Sequence, residues 1–242
     1  MAIRVIVCGA KGRMGKVSCD AIADAPDMEL VAMIDRGDSL ALALERHKPD
    51  AVVDFTIPTC VFENAQCCIE YGVSPVVGAT GLSAEQIIQL ERMCAKRKLG
   101  ALIAPNFSLG AILMMEAATK IASYMPHAEI IEMHHDQKVD SPSGTALKTA
   151  AMMAPYTKDQ TIPFSKQPSR GKPVDGIAIH SVRLPGLFAH QMVIFGGEGE
   201  TLTIRHDSTD RRAMMPGLLL ALRKVGQLAH LVYGLEHLLK EK

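Results

Sequence analysis

Tryptophan is absent from this 242-residue chain, and aromatic side chains make up only 4% of it. The core must therefore be built from Ala, Val, Ile, Leu and the 14 Met, and no stacking surface for nucleic-acid bases is expected. Charge of one sign is not in excess either. Lys+Arg and Asp+Glu are equal at 26 each, so no overall field draws the chain to nucleic acid or an anionic membrane, and any anion must be held locally. No run approaches eighteen uninterrupted apolar residues, and the N-terminus enters an apolar strand without a charged-then-apolar leader. A soluble cytoplasmic protein with no membrane partner is expected. The six cysteines (Cys8, Cys19, Cys60, Cys67, Cys68 and Cys94) all fall in the first hundred residues, with no C-x-x-C among them. No His/Cys spacing suits zinc, so reduced thiols and no metal are expected. The balance of 48% apolar and 21% charged residues is that of an ordinary globular protein, long enough for one large or two modest domains.

The first hundred residues alternate strand-like and helix-like segments. Residues 3–8 form a short apolar strand, followed by Gly9, Ala10, Lys11, Gly12, Arg13, Met14 and Gly15, then a helical segment over 16–24. The next strand, 28–34, closes on Asp35, which lies 20 residues beyond Gly15. This is the order of a dinucleotide-binding unit: glycines let the backbone approach a pyrophosphate, the helix N-terminus holds it, and the acid accepts bonds from a ribose. The glycines are spaced G-x-x-G-x-x-G. Asp35 favours the free 2′-hydroxyl of NAD, whereas Arg36, with Lys11 and Arg13, favours the 2′-phosphate of NADP. Use of both NADH and NADPH is expected. The alternative for Arg36 is a solvated turn residue.

Strands over 49–55, 74–78 and 99–104, with helices over 58–71 and from Ser83, continue the alternation. The result is an α/β class: a Rossmann-like, doubly wound parallel sheet covered on both faces. Ligands of such sheets bind beyond the carboxyl ends of strands, so Gly78, Ala79 and Thr80, and Ala104, Pro105, Asn106 and Phe107, are expected to line the cofactor cleft.

Residues 132–146 read E-M-H-H-D-Q-K-V-D-S-P-S-G-T-A, a mixture few core segments need. The preceding alternation is that of a strand, which puts His134 and His135 at its end. His134 can exchange a proton near neutral pH, and Lys138 adds a cation that anchors a carboxylate or assists the transfer. Ser143 is placed to cap a helix whose first N–H groups, around Gly144 and Thr145, suit an anion. The pocket so described takes a small molecule with negative charge. A surface turn with solvated His and Lys is the alternative.

The remainder changes character. Residues 109–125 read as a helix leading out of the first domain, a second helix ends near Met153, and 155–175 read as a loop near the site. Residues 176–184, 190–195 and 200–206 are strands of an antiparallel sheet, with turns at Pro185-Gly186 and over 196–199. No helical layer is left for that sheet's second face, so other copies of the chain are expected to cover it. Residues 210–242 are helical in pattern and return to the first domain. Two domains are thus expected: 1–106 with 209–242 for the dinucleotide, and 107–208, α+β with a mixed or antiparallel sheet, for substrate and oligomerisation. Arg183 is read chiefly as a structural ion-pair residue, with a substrate carboxylate as its alternative partner.

Taken in order, G-A-K-G-R-M-G at 9–15, D-F-T at 54–56, G-A-T-G at 78–81, P-N-F-S at 105–108, the 132–146 stretch, H-S-V-R-L-P-G at 180–186 and F-G-G-E-G-E at 195–200 resemble the 4-hydroxy-tetrahydrodipicolinate (dihydrodipicolinate) reductase family. The H-H-x-x-K-x-D-x-P-S-G-T segment is the most specific part. The resemblance implies an NAD(P)H-dependent reduction at C4 of a small dicarboxylate heterocycle in the diaminopimelate route to lysine. It implies His134 as proton donor and acceptor and Lys138 as proton donor. His135, Gly144 and Thr145 would hold the substrate carboxylates, and the glycine turn, Asp35, Arg36, 78–80 and 104–107 the cofactor. It further implies a homotetramer assembled through the second domain's sheet. Departures from the family pattern are Ala79, where many relatives have Thr, Ser141 in place of Ala, and a short connection from Asp35 to Pro49. The competing readings are another small NAD(P)-dependent amino-acid dehydrogenase or imine reductase, which has no need of the His134 to Thr145 set, and a non-catalytic dinucleotide sensor.

Overall fold

The structure, a computed structural model, describes residues 2–157 and 168–239. It divides into two compact units, one running to Ser108 and resuming at Met214, the other spanning Leu109–Ala213.

In the first unit the chain forms β1 (Ile3–Cys8), α1 (Arg13–Asp24), β2 (Met28–Ile34), α2 (Leu40–His47), β3 (Ala51–Asp54), α3 (Val61–Glu70), β4 (Ser74–Val77), α4 (Ala84–Arg97) and β5 (Ala101–Ile103). Strands β3, β4 and β5 are buried at every position, Asp54 and Ser74 included, as expected where helices cover both faces of a parallel sheet. Each buried Val, Leu or Ile contributes roughly 1.5–3 kcal/mol. Helix α4 begins in a capping box, with Ser83 accepting from Gln86 N–H and the Gln86 side chain accepting from Ser83 N–H. Helix α2 occupies the 36–48 connection, which the sequence reading left without an element. Ser39 caps it, and Leu40, Ala43 and Leu44, on one face, pack against β1 and β3 residues Ile6, Cys8 and Val52.

The second unit contains α5 (Leu109–Ala122), β6 (His127–His134), α6 (Gly144–Met153), β7 (Lys172–Val174), β8 (Ile177–Arg183), β9 (Ala189–Gly197) and β10 (Glu200–Ser208). Its sheet runs β10-β9-β6-β8-β7. β6 is antiparallel to β9 but parallel to β8, so the sheet is mixed, not antiparallel throughout. The segment at Pro185-Gly186 is not a hairpin turn, because β6 lies between the strands it joins, and Leu184 N–H donates to His134 C=O at 3.1 Å. One face carries Ala128, Ile130, Ile177, Ile179, Val193 and Phe195 against Ala118 and Ala122 of α5 and Ala146, Ala150 and Met153 of α6. The other carries Ile131, Met133, Val182, Met192 and Ile194, all half-buried. β7 falls within the segment read as a loop; residues 158–167 of that segment lie outside the described residues.

The chain then returns through α7 (Met215–Val225) and β11 (Leu231–Tyr233) to the first unit. The helical reading of the terminal segment is corrected here: Leu231–Tyr233 pairs parallel with β5, completing a six-stranded sheet in the order β11-β5-β4-β3-β1-β2. Three short apolar residues cannot distinguish strand from helix by period, and the open edge of β5 decides. No described helix is long and apolar enough to cross a membrane.

Candidate active site

In the second unit, the strand pleat puts Glu132 and His134 on the same face of β6, two residues apart. Glu132 is completely buried. Its Oε2 lies 2.6 Å from His134 Nδ1, and Arg183, at the end of β8, grips both oxygens at 2.7 and 2.8 Å. Ser143 N–H donates to Oε1 at 3.2 Å, while Ser143 Oγ caps α6 by accepting from Ala146 N–H at 3.2 Å. One carboxylate therefore links the imidazole to the start of a helix. Burial works against ionisation of Glu132, but bonds from His134, Arg183 and Ser181 outweigh it and hold its carboxyl at about 2.

Lys138 does not join this node. Its Nζ donates to Asp140 Oδ1 at 2.7 Å, a bond that lowers the Asp140 carboxyl below the usual range. The loop is anchored by Arg183, whose Nη2 donates to Asp140 C=O at 2.8 Å. The Ser141–Pro142 bond is cis. His135 is half-buried, Gly144 exposed and Thr145 half-buried at the first turn of α6. Arg183 makes the structural ion pair that its sequence context favoured.

In the first unit, Gly9 adopts φ +76°, and a Cβ there would fall 2.7 Å from the Phe55 carbonyl oxygen; one on Gly15 would fall 2.0 Å from that of Gly9. Only glycine permits this closeness. The N-cap of α1, Gly12, offers no side-chain bond to the first turn, which suits an anion there. Asp35 Oδ2 accepts from Lys11 N–H and Oδ1 from Arg36 N–H, both at 2.8 Å. These two backbone donors hold its carboxyl below the ordinary value. A cavity of about 420 Å³ is lined by Gly9, Gly12, Asp35 and Arg36 together with Asp38, Phe55, Thr56, Cys60 and Asn64.

Ala10, Lys11, Arg13 and Met14 continue the glycine turn but do not line that cavity, and neither do Gly78, Ala79, Thr80, Ala104, Pro105, Asn106 and Phe107. The last two groups meet one another instead. Ala104 N–H bonds to Val77 C=O at 2.8 Å, Phe107 packs edge-on against Phe55 with ring centres 5.8 Å apart, and a Cβ on Gly78 would strike both rings. Asp54, buried at the end of β3, was not singled out. It accepts from Thr56 N–H and Oγ1 and from Asn64 Nδ2, fixing the loop that carries Phe55. Burial raises its carboxyl despite those bonds. The D-F-T motif was its only local signal; Asn64, eight residues after Thr56, had none. Glu132 was missed as well, since its alternation is that of any strand.

Two family models match the chain, "Dihydrodipicolinate reductase, N-terminus" over residues 3–107 and "Dihydrodipicolinate reductase, C-terminus" over residues 110–239. The 4-hydroxy-tetrahydrodipicolinate reductase of Coxiella burnetii is 53% identical over 239 residues, covering 99% of this chain and 100% of that one. That of Moorella thermoacetica is 47% identical, covering 98% of each. Among solved structures, the dipicolinate-bound dihydrodipicolinate reductase from Paenisporosarcina sp. TG-14 superposes with a TM-score of 0.91 at 42% identity, over 98% of this chain and 99% of that one.

Proposed function

The chain belongs to the dihydrodipicolinate reductase family, and from that premise we propose how its own residues carry the NAD(P)H-dependent reduction of 4-hydroxy-tetrahydrodipicolinate on the diaminopimelate route to lysine. The first unit holds the dinucleotide. The glycine turn from Gly9 to Met14 lets the pyrophosphate approach the N-terminus of α1, whose first-turn N–H groups take it, Asp35 accepts from ribose hydroxyls, and Arg36, Lys11 and Arg13 admit a 2′-phosphate, so that both NADH and NADPH serve. Residues 78–80 and 104–107 complete the cofactor's surroundings. The Cβ-excluding turn, the uncapped α1 and the cavity beside Asp35 support this fit.

Loss of the substrate's 4-hydroxyl as water leaves a conjugated C=C–C=N unit, and the reduced nicotinamide, when bound, would supply a hydride to its C4. The electron pair displaced by that addition must take up one proton, and an acid held nearby lowers the barrier. His134 gives this proton, with Lys138 as a second donor once its bond to Asp140 is exchanged for substrate. The substrate is a small dicarboxylate, and its carboxylates are held by His135 and by the N–H groups of Gly144 and Thr145 at the start of α6. The dipicolinate carried by the Paenisporosarcina relative supports such a site in the family. The observation that carries the reading is the double attachment of Glu132, to His134 and to Ser143 N–H, which keeps proton donor and anion cradle side by side. The chain works in the cytoplasm as a homotetramer joined through the open face of the second unit's sheet.

The test is an assay in which aspartate semialdehyde and pyruvate are condensed in situ by the preceding synthase and absorbance loss is followed with NADH and NADPH in turn. Replacing His134→Gln lowers kcat by roughly 10²–10³ while leaving cofactor affinity intact, as for a lost general acid. Unchanged turnover in that variant removes His134 from the role.

A further inference from the structure

An imidazole serves as a directed proton donor only when its two nitrogens are distinguished, and that distinction is set by whatever bonds the nitrogen facing away from substrate. Here that partner is Glu132, both of whose oxygens are engaged. Oε1 takes Arg183 Nη2 and Ser143 N–H; Oε2 takes Arg183 Nη1 and stands 2.6 Å from His134 Nδ1. An ionised carboxylate has no proton to give, so in the His134 contact the ring must donate. With Nδ1–H committed to Glu132, Nε2 is the nitrogen left to gain and lose a proton.

We infer that Glu132, clamped by Arg183, is a positioning residue for the reaction: it fixes the Nδ1–H tautomer of His134 and ties the proton-exchanging Nε2 to the carboxylate cradle of α6 through Ser143. This rests on the assignment of His134 as the acid. A merely structural Glu–Arg pair would need neither of the other two donors, and a buried pair of that kind is weak support for a fold in any case. The remaining polar groups around the node do not compete for the ring. Ser181 of β8 and Arg183 bond the same carboxylate, Gln191, opposite Glu132 on β9, donates to Thr149 at 2.7 Å, and Lys138 is taken by Asp140. The carboxylate is ionised throughout the working pH range, its carboxyl held at about 2 by those bonds against the effect of burial.

The experiment reads the tautomer directly in the full chain labelled with ¹⁵N-histidine. The His134 signals are those missing from H134Q. With the ring neutral, Nδ1 is expected at the shift of a protonated nitrogen and Nε2 at that of an unprotonated one; the reverse tautomer, or an even mixture, overturns the inference. In Glu132→Gln, which keeps the shape but presents an N–H to the ring, the tautomer reverses and kcat falls about 10²-fold, while the Kd for NADPH stays within about twofold. Turnover within about threefold of the parent overturns the positioning role. Should E132Q fail to fold with Arg183 unpaired, the tautomer of the unaltered chain still decides, and E132Q/R183M, which removes the guanidinium too, supplies the kinetic arm. An active H134Q overturns the acid assignment and this inference with it, whereas an inactive H134Q beside an active E132Q overturns the positioning role alone.

Discussion

A carboxylate cut off from water stays ionised only if other donors replace the water it has lost. Glu132 is the residue on which this balance turns, because its folded-state carboxyl lies at about 2 against an ordinary 4.5. A depressed carboxyl stabilises the fold fully above the unfolded-state value, and that stabilisation is lost as pH falls through the folded-state value. The parent chain is therefore expected to lose more unfolding free energy than E132Q between pH 4.5 and 2, measured by denaturant titration at stepped pH; parallel declines would count against the node. Asp35 is depressed too, by backbone N–H groups of Arg36 and Lys11, but it is solvent-accessible. His134 and Lys138 stood out as candidates from residue chemistry alone, although the structure brings only His134 to the Glu132 node. Glu132 did not, because what distinguishes it is the convergence of Arg183 and Ser143, 51 and 11 residues away.

Capping shows how elements are set by a single side chain. Ser143 both ends the loop and starts α6, accepting from Ala146 N–H. Ser143→Ala removes that acceptor and costs about 1 kcal/mol of stability. It should lower the Tm and, by loosening the first turn proposed to hold a carboxylate, raise KM for substrate more than it lowers kcat. An unchanged Tm would mean the cap is not what holds the turn. The helices at 84–97 and 144–153 were legible because Ser83 and Ser143 announce them. Helix α2 carried the same signal in Ser39 and an i, i+3, i+4 apolar face, and its eight residues were read as a mere connection. β11 carried none, since Leu231–Tyr233 is too short to show a period and becomes a strand only by pairing with β5.

For the whole molecule, the outstanding feature is the face of the second unit's sheet that no described helix covers. Ile131, Met133, Val182, Met192 and Ile194 line it, and a contiguous apolar face of this kind marks an interaction surface. Sedimentation analysis should give four times the chain mass, and Met192→Glu should yield smaller, still folded species, since Arg205 lies across from it on β10 and accommodates the carboxylate in a separate chain. A monomeric parent would overturn the assembly. By itself, the sequence determined the alternation of strands and helices in the first unit, the glycine turn with its acid, and the stretch that bears His134, because these are local patterns of polarity, period and capping. Only the tertiary structure decided that β6 lies between β8 and β9, that β11 closes the first sheet, and that Arg183 and Ser143 meet on Glu132. Those outcomes depend on which strand edges and buried donors pair across tens of residues, and local pattern carries no record of that choice.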